Sequence, residues 1–252
     1  EAPECRRPDG SRYNIYKDGL KIYTTIDPVY QQHAEESMQK HMKKLQARFF
    51  QVWRGRDPWT YKGGGASADE IENRKASLMS LIRDGDRYQA VRPKYMDAVS
   101  DRVQARYDFE LRDIDIERML DEDRKPGSIG KLVATGIATA DQASAYRNIM
   151  HGVEWPEIKN QYRALQVAIK KIYETRARMK VFAWDNPRFE KDTVMTPLDS
   201  LRYHRMFLQS GIMAVDPTTS EIKAWVGGIN FKYFQFDHVR TDRQVGSTFK
   251  PF

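Results

Sequence analysis

Apolar and polar residues alternate along 18–27, DGLKIYTTID, where Leu20, Ile22 and Ile26 are separated by polar or β-branched neighbours. This period of two predicts a strand ending near Thr25. Asp27-Pro28 then joins an N-cap to a proline at the first helical position, where its missing N–H costs nothing. Beyond it the period lengthens. Met38, Met42, Leu45 and Phe49 step by four, three and four, one stripe of a helix that is expected to be core.

Residues 55–70 are glycine-rich loop, closed by Ser67 and Glu70 in the spacing of a capping box. The helix that follows carries Ile71, Leu78, Leu81 and Ile82 and is expected to stop at Asp84-Gly85. Residues 94–124 are again helix-patterned, with Tyr95, Val99, Val103, Ile114, Met119 and Leu120 as the buried set, and Pro126-Gly127 ends them. From Pro156 to about Lys180, Ile158, Tyr162, Leu165, Ile169 and Ile172 repeat the helical step. After Val181 the texture changes to aromatics and prolines, then a short amphipathic helix. Two apolar runs, Ile212–Val215 and Ile222–Val226, flank the turn sequence Asp216-Pro-Thr-Thr-Ser220 and predict a β-hairpin.

The 252 residues allow one large domain or two small ones. No stretch approaches the roughly 18 consecutive apolar residues of a membrane span, and the first ten residues do not resemble a signal peptide. The chain is therefore expected to be cytosolic or a piece of something longer. Cys5 is the only cysteine, which excludes an internal disulfide framework. Lys and Arg number 42 against 35 acids, a net charge of +7. That excess suits a nucleic acid, an anionic membrane surface or an acidic polymer, although most of the basic residues are interleaved with acids, as on a solvated helix face.

The chemistry concentrates in RQVGSTFKPF, residues 243–252. Four of the twelve serines have lysine three positions later: Ser37 with Lys40, Ser128 with Lys131, Ser220 with Lys223 and Ser247 with Lys250. A lysine can activate a serine only if it loses its own proton, which requires shielding from water and a fixed geometry. Glu35, Glu36, Gln39 and Lys43 keep the first pair wet. Gly130 leaves the second without fixed geometry. The third straddles a turn and a strand, where positions three apart point to opposite faces. In the fourth, Gly246 permits a sharp entry into a helix and Pro251 is best tolerated in a first turn. Ser247 would then offer its hydroxyl and its backbone N–H at the positive end of the helix dipole, with Lys250 one turn on. Val245, Phe249 and Phe252 supply apolar surroundings.

This block resembles the active-site serine motif of penicillin-binding proteins. GIMAVDPTTSEIKAWVGGINF resembles the hairpin preceding that serine in class A members, and DGLKIYTTIDPVYQQHAEESM resembles the segment joining their glycosyltransferase and transpeptidase domains. VFAWDNPRFEKDTVMTPLDSLRYHRMFLQSG is similar to the approach in Bacteroidetes-type members, which carry an enlarged region here. The resemblance implies an α+β fold: an incomplete transpeptidase core of the penicillin-binding and serine β-lactamase type, an antiparallel sheet with helices, interrupted by a large helical insertion. It implies a linker and first strand over 1–27, the insertion over 28–192, and the start of the transpeptidase domain over 193–252.

It also implies that Ser247 attacks the penultimate D-alanine carbonyl of a peptidoglycan stem peptide, that Lys250 accepts its proton, and that an amine of a neighbouring stem resolves the acyl-enzyme. No cofactor and no metal are expected. The partners implied are stem peptides and lipid II-derived glycan strands, with β-lactams as inhibitors and no nucleic acid. The parent is expected to be a bifunctional, membrane-anchored enzyme on the periplasmic face of the bacterial inner membrane, with residues 28–190 open to periplasmic protein partners. The Ser-x-Asn and Lys-Thr/Ser-Gly motifs of the family are not among these 252 residues, so the piece alone is expected to be inactive. A rival reading is a basic helical module without catalysis, binding nucleic acid or protein, in which RFFQVWRGRDPW would stack on bases.

Overall fold

The computed structural model describes residues 7, 9–14 and 16–242. It is helix-rich with two small antiparallel sheets, an α+β composition. Two compact units divide it, residues 1–52 with 207–252 and residues 53–206. The cuts fall at 52 and 206.

In the first unit α1 (Pro28–Val52) packs on the hairpin of β3 (Ile212–Val215) and β4 (Ile222–Val226). Asp27 caps α1 as expected, its Oδ1 accepting the Val29 and Tyr30 N–H groups at 2.8 and 3.3 Å. No strand forms over 18–27. Instead the Thr25 hydroxyl donates to the Ile222 carbonyl (2.7 Å) and Asp27 N–H to the Lys223 carbonyl (2.9 Å). Alternation becomes a strand only where a neighbour pairs it and a core takes its apolar face. Ile22 is 71% exposed and finds no such core.

The edge of β4 is closed by α1. The Gln31 amide accepts from Trp225 N–H (2.8 Å) and donates to Trp225 C=O (3.1 Å), doing for that residue what a third strand would do. The apolar stripe also departs from its expected course. Met38 and Met42 are buried, but Leu45 is exposed, and the buried position belongs to Gln46, whose Oε1 accepts Leu208 N–H at 2.8 Å. Phe50 meets Phe207 edge to face, with ring centroids 5.5 Å apart.

The second unit holds α2 (Ala68–Asp84), α3 (Asp86–Tyr107), α4 (Asp113–Arg124), α5 (Ser128–Ala134), α6 (Ala140–Met150), α7 (Trp155–Glu174), β1 (Ala177–Phe182), β2 (Glu190–Met195) and α8 (Pro197–Arg205). Its core gathers Met96, Val99 and Val103 of α3, Ile116 and Met119 of α4, and Ile158, Leu165 and Ile169 of α7. The Ser67–Glu70 capping box opens α2 as the sequence predicts. The helix expected from residue 94 starts at Asp86 and runs through Pro93. Proline removes a backbone donor, yet Tyr88 and Met96 on either side are fully buried, and that packing carries the helix across it. The turn at Asp108 (φ 49°) then separates α3 from α4.

The hairpin β1–β2 replaces the end of the helix expected to reach Lys180, pairing Ala177 with Met195 through to Phe182 with Glu190. Asn186 builds its turn, its Oδ1 accepting Arg188 N–H (3.0 Å) and its amide donating to the Glu190 carbonyl (2.6 Å). Among the described residues no helix is long and apolar enough to cross a membrane.

Candidate functional site

Ser247 and Lys250 lie outside the described residues, as does all of 243–252. What is described is the approach to them. Asp216 organises the β3–β4 turn: its Oδ1 accepts the N–H groups of Thr218 (2.8 Å) and Thr219 (3.2 Å), and its carbonyl accepts Ser220 N–H (2.8 Å). These backbone donors hold its carboxyl below the usual carboxylate range. After β4, Asp237 ties the chain back, accepting Trp225 Nε1–H (3.0 Å) through Oδ2 and Val239 N–H (2.9 Å) through Oδ1, while His238 N–H reaches the Gly227 carbonyl (2.7 Å). A Cβ on Gly227 would stand 2.9 Å from Asp237 Oδ1, so a side chain here would displace that carboxylate. Asp216 is thus a turn residue and Asp237 a loop acid.

The three competing serine–lysine pairs are all described, and none forms a proton-transfer couple. Ser37 and Lys40 are exposed on α1. Ser128 donates to the Lys125 carbonyl (2.6 Å) at the start of α5, and Lys131 is exposed. Ser220 sits in the left-handed region (φ 59°), and Lys223 Nζ bonds Glu221 Oε2 at 2.6 Å. That hydrogen bond raises the Lys223 pKa, which keeps the amine charged.

The second unit is rich in buried titratable groups, each of them paired. Asp113 accepts from Tyr88 and from Arg92 Nε (2.9 Å). Asp115, without exposed surface, accepts from Arg112 Nε (2.9 Å) and Tyr146 Oη (2.7 Å). Burial pushes the Tyr88 phenol far up, and its bond to Asp113 adds to the shift. Tyr162 is raised in the same direction by burial and by the charge of Glu117. A phenol held so firmly protonated is a donor, and these groups clamp α3, α4, α6 and α7 together. Sequence patterning missed them because helix-surface charges read alike whether they face solvent or a neighbour.

His204 of α8 is half-buried. Its Nε2 accepts Phe182 N–H (3.2 Å), and its Nδ1 lies 2.8 Å from the Ser200 carbonyl, which places the proton on Nδ1. Tyr203 Oη donates to the Phe182 carbonyl (2.8 Å), so α8 holds both backbone groups of one strand residue. Burial lowers the His204 pKa, with the Ser200 bond opposing it in part. No cluster of three His, Cys, Asp or Glu among the described residues could hold a metal ion.

Residues 139–208 match the family described as the penicillin-binding protein middle domain. They run from the Thr139 cap of α6 through α7, β1–β2 and α8 to Leu208. A search of the curated proteins found no match, and a search of the solved structures found none. The match supports a likeness to the penicillin-binding protein family over these residues.

Proposed function

We propose that the chain is part of a class A, Bacteroidetes-type penicillin-binding protein that cross-links peptidoglycan stem peptides through a serine acyl-enzyme. The observation that carries this reading is order along the chain. A segment matching the middle domain ends at residue 208, and the hairpin sequence and the Ser-Thr-Phe-Lys block at 247–250 follow it.

In this reading the Ser247 hydroxyl attacks the D-alanyl carbonyl, Lys250 takes the proton, and the terminal D-alanine leaves. The Ser247 N–H supplies one oxyanion donor. Ser-x-Asn and Lys-Thr/Ser-Gly groups from the parent complete the site. The parent is taken to carry a glycosyltransferase domain and an anchor, and to work at the periplasmic face of the inner membrane. Residues 28–190 are taken to serve as a docking region there.

Fluorescent penicillin tests the reading. The parent protein is expected to form a covalent adduct that Ser247→Ala abolishes, and the 252-residue piece to form none. An adduct on the parent that survives Ser247→Ala overturns it.

A further inference from the structure

The start of the second unit carries an arrangement that transpeptidation does not use. Trp53 and Tyr61 meet edge to face, with ring centroids 5.4 Å apart. Three guanidiniums each contact a ring or carbonyl of the loop that follows Trp53. Arg56 lies 5.3 Å from the Tyr61 ring centre, and Arg202 of α8 lies 5.8 Å from that of Trp59. Arg74 of α2 donates through Nη1 to the carbonyls of Pro58 (3.3 Å) and Tyr61 (3.1 Å).

None of the three has an ion-pair partner among the described residues. Elsewhere in the unit Arg83 pairs with Glu117, Arg92 with Asp113, Arg106 with Glu154 and Arg112 with Asp115. The single acid of the loop, Asp57, is already engaged, its Oδ1 accepting Trp59 N–H (3.0 Å) and its Oδ2 the Thr60 hydroxyl (3.0 Å). Arg202 Nε is buried with no hydrogen-bond partner. A buried charged donor without an acceptor is costly.

We infer that loop 53–62, with Arg74 and Arg202, is a binding site for a phosphate group. Guanidiniums present forked donors that match phosphate oxygens, and aromatic faces hold those forks in plane. Three cations with one engaged carboxylate suit a phosphate, whose tetrahedrally spread non-bridging oxygens can take forked donors from more than one direction, better than a planar carboxylate. The group belongs either to a soluble phosphate ester or to a phospholipid head group.

The test titrates the whole chain with inorganic phosphate and pyrophosphate, and with acetate at matched ionic strength, following tryptophan fluorescence. In parallel it measures co-sedimentation with phosphatidylcholine vesicles containing phosphatidylglycerol or, as the carboxylate control, oleate. Saturable binding of phosphate or pyrophosphate assigns a soluble ligand, and binding to phosphatidylglycerol vesicles alone assigns the head group. In either case Arg202→Gln is expected to weaken binding about tenfold, roughly 1.4 kcal/mol. Arg202→Lys, lacking the fork, is expected to recover little of it, and Arg163→Gln on α7 to change nothing. If Arg202→Gln fails to fold, Arg56→Gln, an exposed side chain, takes its place. No saturable binding of either source, equal binding of acetate or oleate, or an unchanged affinity in the arginine variants would overturn the site.

Discussion

The two units bury their chains in different ways. In residues 53–206, Met96, Val103, Ile116, Met119, Ile129, Ile149, Ile158 and Leu165 have no exposed surface, and Arg83–Glu117 and Arg92–Asp113 pair charges between helices. In the unit of α1 and the β3–β4 hairpin, Ala224 alone among the described hydrophobics reaches that level, while Tyr23, Phe231 and Phe236 are well exposed and Met213 and Val215 leave one hairpin face open. A two-stranded hairpin is marginal by itself, and here a helix supplies what further strands would supply: Gln31 on the edge of β4, Met38, Met42 and Gln46 beneath. One unit is held by packed apolar volume. The other depends on a few polar side chains placed where backbone needs them.

Leu165→Ala should break the first kind of unit most severely. Deleting a fully buried leucine is expected to cost about 3 kcal/mol, read as lost hydrogen-exchange protection across α3 and α7. A loss below about 1 kcal/mol would mean that the helical core collapses around the gap and is less tightly packed than its burial implies. Gln46→Leu should cost less, about 1–2 kcal/mol, because it deprives the Leu208 N–H of its acceptor while adding apolar surface. Here protection of the Leu208 amide is expected to fall while α7 keeps its own, and unchanged protection would show that the amide carries no weight.

The smallest effect is a slope with pH. The folded His204 takes its proton less readily than an unfolded histidine, whose pKa is near 6.5. The unfolded chain therefore binds that proton first, so this residue leaves stability unchanged above about pH 6.5 and lowers it as pH falls below. Thermal melts from pH 7.5 to 5 should show a steeper decline in the wild type than in His204→Gln, and parallel curves would count against a neutral, doubly bonded imidazole.

Features set within a few residues were legible in the chain. The Asp27-Pro28 start of α1, the Ser67–Glu70 box and both strands of the 212–226 hairpin stand where patterning put them. Features needing a distant partner were not. Residues 18–27 alternate like a strand but pair only through Thr25 and Asp27, and Gln46 reads as a surface polar residue until Leu208 is brought to it. Of the candidate site, the Ser247–Lys250 spacing was readable as local chemistry, and the description stops before it. Of the arginines at loop 53–62, Arg56 is visible in RFFQVWRGRDPW and Arg74 follows within 16 residues, whereas Arg202 comes from a helix remote in sequence.

By itself the sequence determined the helix caps, the turn at Asp216 and the serine–lysine spacing, because each depends on dihedral preferences and hydrogen bonds that close within about one turn of chain. Tertiary structure decided which polar groups are buried, which edge Gln31 seals and which guanidiniums lack a counter-charge. Those outcomes depend on desolvation by neighbours up to 194 residues away along the chain, and no local pattern encodes them.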